Sequence, residues 1–398
     1  MTSEATNELL TRVGPGSALH DVMRRYWVPC VRAAKLEAGG APELVVMLGR
    51  RYVAFRAEDG RVGLFDEACP HRGVSLTLAR NEDCALRCLY HGWKIDVGGA
   101  VVETPSEPAD RTGFRDKVSV GHYPTHESGG LLWAWLGDGD PPPFPELEFG
   151  TLDDDHRWLR GIPVNANWLQ VLEGNFDAAH AGVLHATSNV QRGGFTYLTA
   201  DSAPEWKLTQ QPWGLSAAAI RTLDDRSYYR RENHYVFPFV ALVAGGDDDE
   251  RMAVVVLPND DEHTMQWVLW YHPSRPMADD AFGAWYFSKL DPDPDDGRRS
   301  IRADDRWGQD RHAMRWGSFS GLRGVAIEDV AVVESQGPIV DRAREHLGSS
   351  DQGVIALRRT VLDALKRDHP PSLDGIDFSA IRATSQIVTD NDLQPAKD

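Results

Sequence analysis

Cys69-Pro70-His71 and, after sixteen further residues, Cys88-Leu89-Tyr90-His91 form the stretch that decides how this chain is read. Each loop offers one thiolate and one imidazole. Two such loops suit a [2Fe–2S] cluster in which one iron takes Cys69 and Cys88 and the other takes His71 and His91, an arrangement that raises the reduction potential. Two Cys and two His are also a zinc set. Zinc ligands, however, usually stand two to four residues apart, and the single residue inside Cys-x-His makes chelation of one tetrahedral ion awkward. Pro70 inside one loop and Gly92-Trp93 closing the other argue against unrelated core cysteines and surface histidines. Cys84 and Cys30 have no histidine partner and read as small buried hydrophobes. Four cysteines in 398 residues make no disulfide framework, and their clustering points to metal binding in a reducing cytoplasm.

Outward from these loops the pattern is β-rich. Leu44–Leu48, Tyr52–Arg56 and Arg61–Phe65 read as strands with a hairpin turn at Ala57–Gly60, and Gly130–Leu136 reads as another. Gly137-Asp138-Gly139-Asp140-Pro141-Pro142-Pro143 reads as a linker. The expected organisation is therefore a helical lead over 1–42, a cluster domain over 43–140 and a second domain over 141–398. The lead turns at Gly14-Pro15-Gly16 and packs on the second domain. In that domain, helices are expected over Trp168–Ala181, Ile327–Gln336 and Val354–Lys366, the last capped by Asp351. Strands are expected over Ser216–Thr222, Tyr235–Val243, Met252–Leu257 and Met265–His272, and a solvated loop over Asp291–Asp310. Lys and Arg number 42 against 60 Asp and Glu, a net charge of −18. Such an acidic chain is a poor nucleic-acid binder, and no apolar run is long enough to cross a bilayer. Residues 1–10 show no positive start followed by an apolar core, so no signal peptide is read.

A second constellation lies downstream. Asp177 and His180 are three apart and share a helix face. His180 and His185 are five apart, about 140° round an ideal helix, and need a break to converge, for which Gly182 is the candidate. Two His and one carboxylate on adjacent vertices, with the other positions open, make the facial triad of a non-haem Fe(II) oxygenase. The carboxylate is read as Asp329. Val330, Val332 and Val333 place it on a largely buried helix, where a carboxylate needs a partner. Glu328, about 100° round that helix, is expected to face water, and Glu334 is the weaker alternative.

With these residues in place, the chain resembles the α subunit of Rieske non-haem iron aromatic-ring oxygenases, most of all the phthalate-dioxygenase-like branch that includes several O-demethylases. The resemblance also takes in Leu10–Gly16, Arg25-Tyr26-Trp27, Asn167–His185, Glu334–Arg342 and Glu345–Gly348. It implies an α+β protein: a β-sandwich Rieske [2Fe–2S] domain followed by a helix-grip catalytic domain with a curved antiparallel sheet. It implies that Cys69, His71, Cys88 and His91 hold the cluster and that His180, His185 and Asp329 hold a mononuclear Fe(II). It implies head-to-tail homotrimers or dimers of trimers, with Asp177 bridging a cluster histidine, His91, to His180. A separate NAD(P)H-dependent reductase is expected, because no flavin or dinucleotide signature occurs in the chain.

The expected reaction uses O2 to hydroxylate, dihydroxylate or O-demethylate an aromatic compound. Related enzymes for aromatic dicarboxylates place arginines in the pocket. Arg192, Arg221 and Arg231 are the candidates here, although Arg230-Arg231 reads equally as a solvated pair, and Glu205 stands where a basic residue would be expected. The readings from another class are a Rieske electron carrier without oxygenase activity and a zinc-stabilised binding protein.

Overall fold

The computed structural model describes residues 2–108, 113–189, 193–246, 249–277, 286, 303–366, 373 and 375–393. Two short helices open the chain, α1 (Glu4–Thr11) and α2 (Ala18–Met23). Each starts at a serine, Ser3 or Ser17, whose side chain accepts an amide N–H of the first turn. Ten strands follow: β1 (Trp27–Arg32), β2 (Glu43–Met47), β3 (Arg50–Arg56), β4 (Val62–Asp66), β5 (Arg80–Glu82), β6 (Ala85–Arg87), β7 (Lys94–Asp96), β8 (Val101–Glu103), β9 (Thr125–Ser128) and β10 (Leu131–Trp135). They form three small antiparallel sheets, β2-β3-β4, β5-β6-β7-β8 and β1-β10-β9. The first is the expected meander. Val53, Phe55, Phe65, Leu86, Trp93 and Ile95 bury their side chains in one core with Cys69 and Cys88.

Cys84 departs from expectation. Glu82 pairs with Ala85, so Asp83 and Cys84 alone reverse the chain, both at positive φ (48° and 57°). The turn leaves Cys84 half-buried, packed against the margin of that core and not inside it. Cys30 is buried as read, and burial raises its thiol pKa.

Beyond the irregular Gly137–Pro143 stretch lie β11 (Arg157–Val164), β12 (Glu205–Gln211), β13 (Gly214–Thr222), β14 (Ser227–Val236), β15 (Val240–Ala244), β16 (Arg251–Pro258), β17 (Thr264–Tyr271) and β18 (Thr384–Thr389). They make one antiparallel sheet in the order β11-β17-β16-β15-β14-β13-β12, with β18 also on β14. The expected strand Tyr235–Val243 is two strands. The cis Phe237-Pro238 bond sits in the turn between them, and Val236 pairs with Val240.

Among the described residues, four α-helices longer than four residues accompany the sheet: α3 (Trp168–Gly174), α4 (Ala178–Val183), α5 (Val325–Ser335) and α6 (Gln352–Leu365). α3 packs against β16, β17 and α5, and α6 packs against β12 and β13. The single helix expected over Trp168–Ala181 is therefore broken at Asn175–Asp177, where Asn and Asp favour turns and caps over helix interiors. Asp351 does not cap α6 with its side chain; that carboxylate accepts the Gly348 amide at 2.6 Å. Of the charge-dense segment, residues 291–302 lie outside the described residues, and Ala303–Gly308 forms a 3-10 turn. Among the described residues, no helix is long and apolar enough to cross a membrane.

A buried polar network locks the termini to α3. Asn167 Nδ2 donates to the carbonyls of Thr11 and Asp261, and Gln170 binds the Val340 amide and the Gly337 carbonyl. Arg342 is fully buried and reaches Glu173 with two bonds (3.0 and 3.1 Å) and Asn7 with a third (3.0 Å). Arg358 joins the same Glu173 at 2.6 Å and continues to Glu345. Glu173→Ala would leave the Arg342 guanidinium without a counter-charge, a loss of about 3–5 kcal/mol for a buried pair. Denaturant unfolding of Glu173→Ala should show that loss, whereas Glu345→Ala, which spares Arg342, should lose clearly less.

Candidate functional site

The two Cys/His loops repeat one backbone design. Cys69 N donates to Val74 O and Gly73 N donates back to Cys69 O; in the same way Cys88 N donates to Trp93 O and Gly92 N to Cys88 O. Gly73 and Gly92 both lie at φ +74°, which only glycine adopts without cost. The repeat brings both loops into the core with their cysteines 3% exposed. Burial pushes the Cys69 thiol up to about 11, against the amide N–H groups of His71 and Arg72. The His71 ring stacks on Trp93 (4.4 Å between centroids, 4° between planes) and meets His91 at 4.4 Å. Trp93 is itself held by a bond from its indole N–H to Ser106. His71 Nδ1 is buried and has no hydrogen-bond partner, as a nitrogen kept for a metal would be. Two thiols and two imidazoles on paired loops are the donor set of a two-iron cluster with two Cys on one iron and two His on the other.

The second site is built at the broken helix. Asp177 caps α4: its Oδ1 accepts the amides of Ala179 (3.0 Å) and His180 (3.2 Å). His180 turns Nδ1 to the Asp177 carbonyl at 2.5 Å, which leaves Nε2 3.6 Å from Asp329 Oδ1. His185 turns Nδ1 to Glu328 at 2.7 Å, which leaves Nε2 2.9 Å from the same Asp329 oxygen. Both imidazoles thus spend Nδ1 on an oxygen and aim Nε2 at one place. The two imidazoles and the carboxylate lie within 4.8 Å of one another. Burial lowers His185, but the Asp329 and Glu328 carboxylates outweigh it and bring its pKa to about 9. Burial lowers His180, and although burial raises Asp329, the two histidines hold that carboxyl below its ordinary value. The donor set is one that a divalent cation with open positions would complete.

The triangle lines a cavity of about 330 Å³ between the helices and the inner face of the sheet. Strand alternation builds that face. Arg221 pairs with Tyr229, Ala219 with Arg231 and Ala217 with Asn233, while Val243 pairs with Met252 and Met252 with Trp270. The alanines leave room that the arginines reach into. Arg221 is 1% exposed; it donates to the carbonyls of Ala178 and Asp201. Arg231 donates to the Ala244 carbonyl and lies over the Phe195 ring. Arg221 Nη1, Arg231 Nε and the Tyr229 hydroxyl are buried without a hydrogen-bond partner, and neither arginine has a carboxylate ion partner among the described residues. Burial and then Arg231 lower Arg221 to about 10.

Comparison with known proteins shows the family. The Rieske [2Fe-2S] domain family matches residues 26–124, and the family described as LigXa C-terminal domain like matches residues 134–383. The phthalate 4,5-dioxygenase oxygenase subunit of Pseudomonas putida is 37% identical over 381 residues, covering 92% of this chain and 86% of that protein. The chain belongs to the Rieske oxygenase family. Another relative of this Rieske oxygenase, the 3-chlorobenzoate-3,4-dioxygenase oxygenase subunit of Comamonas testosteroni, is 34% identical over 410 residues, 93% of this chain and 91% of that one. In fold, the chain is similar to the terminal oxygenase of carbazole 1,9a-dioxygenase from Nocardioides aromaticivorans IC177, with a TM-score of 0.62 at 18% identity, over 92% of this chain and 98% of that one.

Several sequence expectations for this Rieske oxygenase change. Glu328 does not face water: it is 1% exposed and accepts from His185, Ser188 and Ser320. Its side chain leaves α5 on the side where the His185 segment and the Ser320 loop close over it. Glu334 is no ligand candidate, because its oxygens take the Asn165 amide and the Trp307 indole. Gly182 is not the break; it lies inside α4, where an added Cβ would meet the Leu198 carbonyl at 2.3 Å. His185 comes round because the helix stops at Val183. Arg230 and Arg231 are not one solvated pair, since alternation sends Arg230 to Glu232 and Arg231 into the cavity. Arg192 lies outside the described residues. Tyr229 and Asn233 were missed, although Tyr229, Arg231 and Asn233 at alternate positions are a readable polar inner face.

Proposed function

We propose that this chain is the oxygenase component of a multicomponent Rieske system that uses O2 and reductase-supplied electrons to hydroxylate or O-demethylate an aromatic carboxylate, with cis-dihydroxylation of a phthalate-like acid as the alternative outcome. The observation that carries the reading is the meeting, in one cavity, of an imidazole–imidazole–carboxylate triangle and two inward-reaching guanidiniums that have no acid partner among the described residues. A buried cation with spare donors is costly, and a substrate carboxylate would satisfy it with charge-assisted bonds. Cys69, His71, Cys88 and His91 would hold the cluster, and His180, His185 and Asp329 the mononuclear iron. When bound, the cluster supplies single electrons and the Fe(II) supplies dioxygen activation.

The chain's own residues do the rest. Arg221 and Arg231 hold the carboxylate at the sheet end of the cavity, and Val243, Met252 and Trp270 present an apolar wall to the ring. Hydroxylation puts one oxygen atom into a C–H bond and releases the other as water with two electrons and two protons. On an aryl methyl ether the hydroxymethyl product collapses to a phenol and formaldehyde. Asp177 keeps Oδ1 on the helix cap, and its Oδ2 lies 3.7 Å from His180 Nδ1 on a side chain about a third exposed. In a head-to-tail homotrimer, Oδ2 is the acceptor for His91 of the partner subunit and links the two centres. The 1–42 lead then bridges the 43–140 cluster domain and the 141–398 catalytic domain: α1 and α2 pack on α6, and β1 pairs with β10. A separate NAD(P)H-dependent reductase, with or without a ferredoxin, feeds the cluster.

His180→Ala should lose the mononuclear iron while the cluster's visible absorption is kept, and Asp177→Asn should keep both metals and lose turnover. Loss of cluster absorption in His180→Ala would refute two separate centres, and full turnover in Asp177→Asn would remove the bridge. Arg231→Met, assayed with a panel of benzoates and phthalates against their uncharged amides, should raise KM for the acids by about tenfold to a hundredfold, the worth of a charge-assisted bond, and leave the amides unchanged. Equal losses for acids and amides would contradict carboxylate binding.

A further inference from the structure

We infer that Glu328 is a positioning residue for the mononuclear site, acting through the imidazole of His185; the inference rests on the iron reading above. Glu328 and Asp329 are consecutive on α5, about 100° apart round the helix, and they grip one ring from its two nitrogens. Glu328 Oε2 lies 2.7 Å from His185 Nδ1, and Asp329 Oδ1 lies 2.9 Å from His185 Nε2. Glu328 is 1% exposed and His185 4% exposed. The carboxylate has no Lys or Arg within ion-pair distance among the described residues; its one charge partner is His185. Its remaining acceptor capacity is taken by hydroxyls, Ser188 on Oε2 at 3.1 Å and Ser320 on Oε1 at 2.6 Å. Ser320 is in turn fixed by the Leu322 amide, which donates to its oxygen at 3.1 Å.

A buried anion with no Lys or Arg beside it is expensive unless donors surround it. It is held here by three donors that all point at it, and the neutralising charge must come through the ring. The consequence is chemical. Nδ1–H is bound to Glu328, so Nε2, beside Asp329, is the nitrogen that would give up its proton and bind a metal. A carboxylate on the far nitrogen also makes the imidazole a stronger ligand. His180 is different: its Nδ1 meets a neutral backbone carbonyl, Asp177 O, at 2.5 Å. The two histidines are therefore unequal donors: His185 Nδ1 is hydrogen-bonded to a carboxylate at 2.7 Å, whereas His180 Nδ1 is hydrogen-bonded to a carbonyl and its nearest carboxylate oxygen, Asp177 Oδ2, stands off at 3.7 Å. A hydrogen-bond hub that served stability alone would not produce that inequality.

The test uses the full chain with its cluster in place, stripped of mononuclear metal and titrated without oxygen with Fe(II), then with Co(II) as a spectroscopic probe. Glu328→Gln, which keeps shape and removes charge, should bind either metal about tenfold to a hundredfold more weakly than the parent. Its Co(II) visible bands should shift, while the cluster absorption stays in place. Glu328→Asp, which keeps the charge and withdraws it by one methylene, should show the same loss in smaller measure, and it decides the matter if the Gln variant does not fold. Parent affinity and an unshifted Co(II) spectrum in a folded variant would overturn the positioning role. Failure of the parent chain itself to take up either metal saturably would instead remove the iron reading beneath it.

Discussion

An imidazole has two nitrogens, and a metal site can use a histidine only when the other nitrogen is spoken for. That constraint governs the catalytic half of this protein. His180 gives Nδ1 to a carbonyl of its own helix cap and His185 gives Nδ1 to a carboxylate, so both Nε2 atoms are left to converge on Asp329. Neither bond exists without the broken helix. The Asp177 carbonyl is reachable because Asp177 is a cap and not a helix residue, and His185 is reachable because α4 stops two residues before it.

The scaffold is arranged to hold that break. α3 is clamped through Glu173 by two arginines from the C-terminal part of the chain, and through Asn167 and Gln170 by backbone groups of the lead and of the Gly337–Val340 segment. Asn233, from the middle of the sheet, donates to the Asn175 carbonyl at 2.9 Å and so ties the break to the cavity floor. The small side chains of Ala217 and Ala219 keep that floor low enough for two arginines to lie over it. The cluster domain meets the same need by other means: duplicated turns with glycine at positive φ, and one tryptophan that packs flat on a histidine.

Much of this is legible in the sequence, for a physical reason in each case. Ligand spacing is local, so Cys69-x-His71 and Cys88-x2-His91 announce themselves, and a carboxylate beside a run of valines asks for a cation. What is not legible depends on contacts distant in the chain. β12, Glu205–Gln211, carries Glu, Lys and three amides or hydroxyls and is not among the strands expected from the sequence, yet it pairs along its whole length with β13. β11 hides behind Arg, Gly and Pro. Glu328 looks solvent-facing by helix geometry alone, because nothing local says that Ser188 and Ser320 fold over it. Gly182 looks like a breaker until the Leu198 backbone is seen against it. Arg231 and Arg230 are neighbours in the chain and opposites in the sheet.

The central claim, that one chain carries a two-iron cluster and a separate single iron, is tested most directly by iron and acid-labile sulfide analysis of anaerobically purified protein. The account predicts iron to sulfide near a ratio of about three to two, falling to equal amounts after mild chelation that leaves the visible absorption intact. Zinc in place of iron, or iron and sulfide in equal amounts from the outset under iron-replete expression, would contradict it.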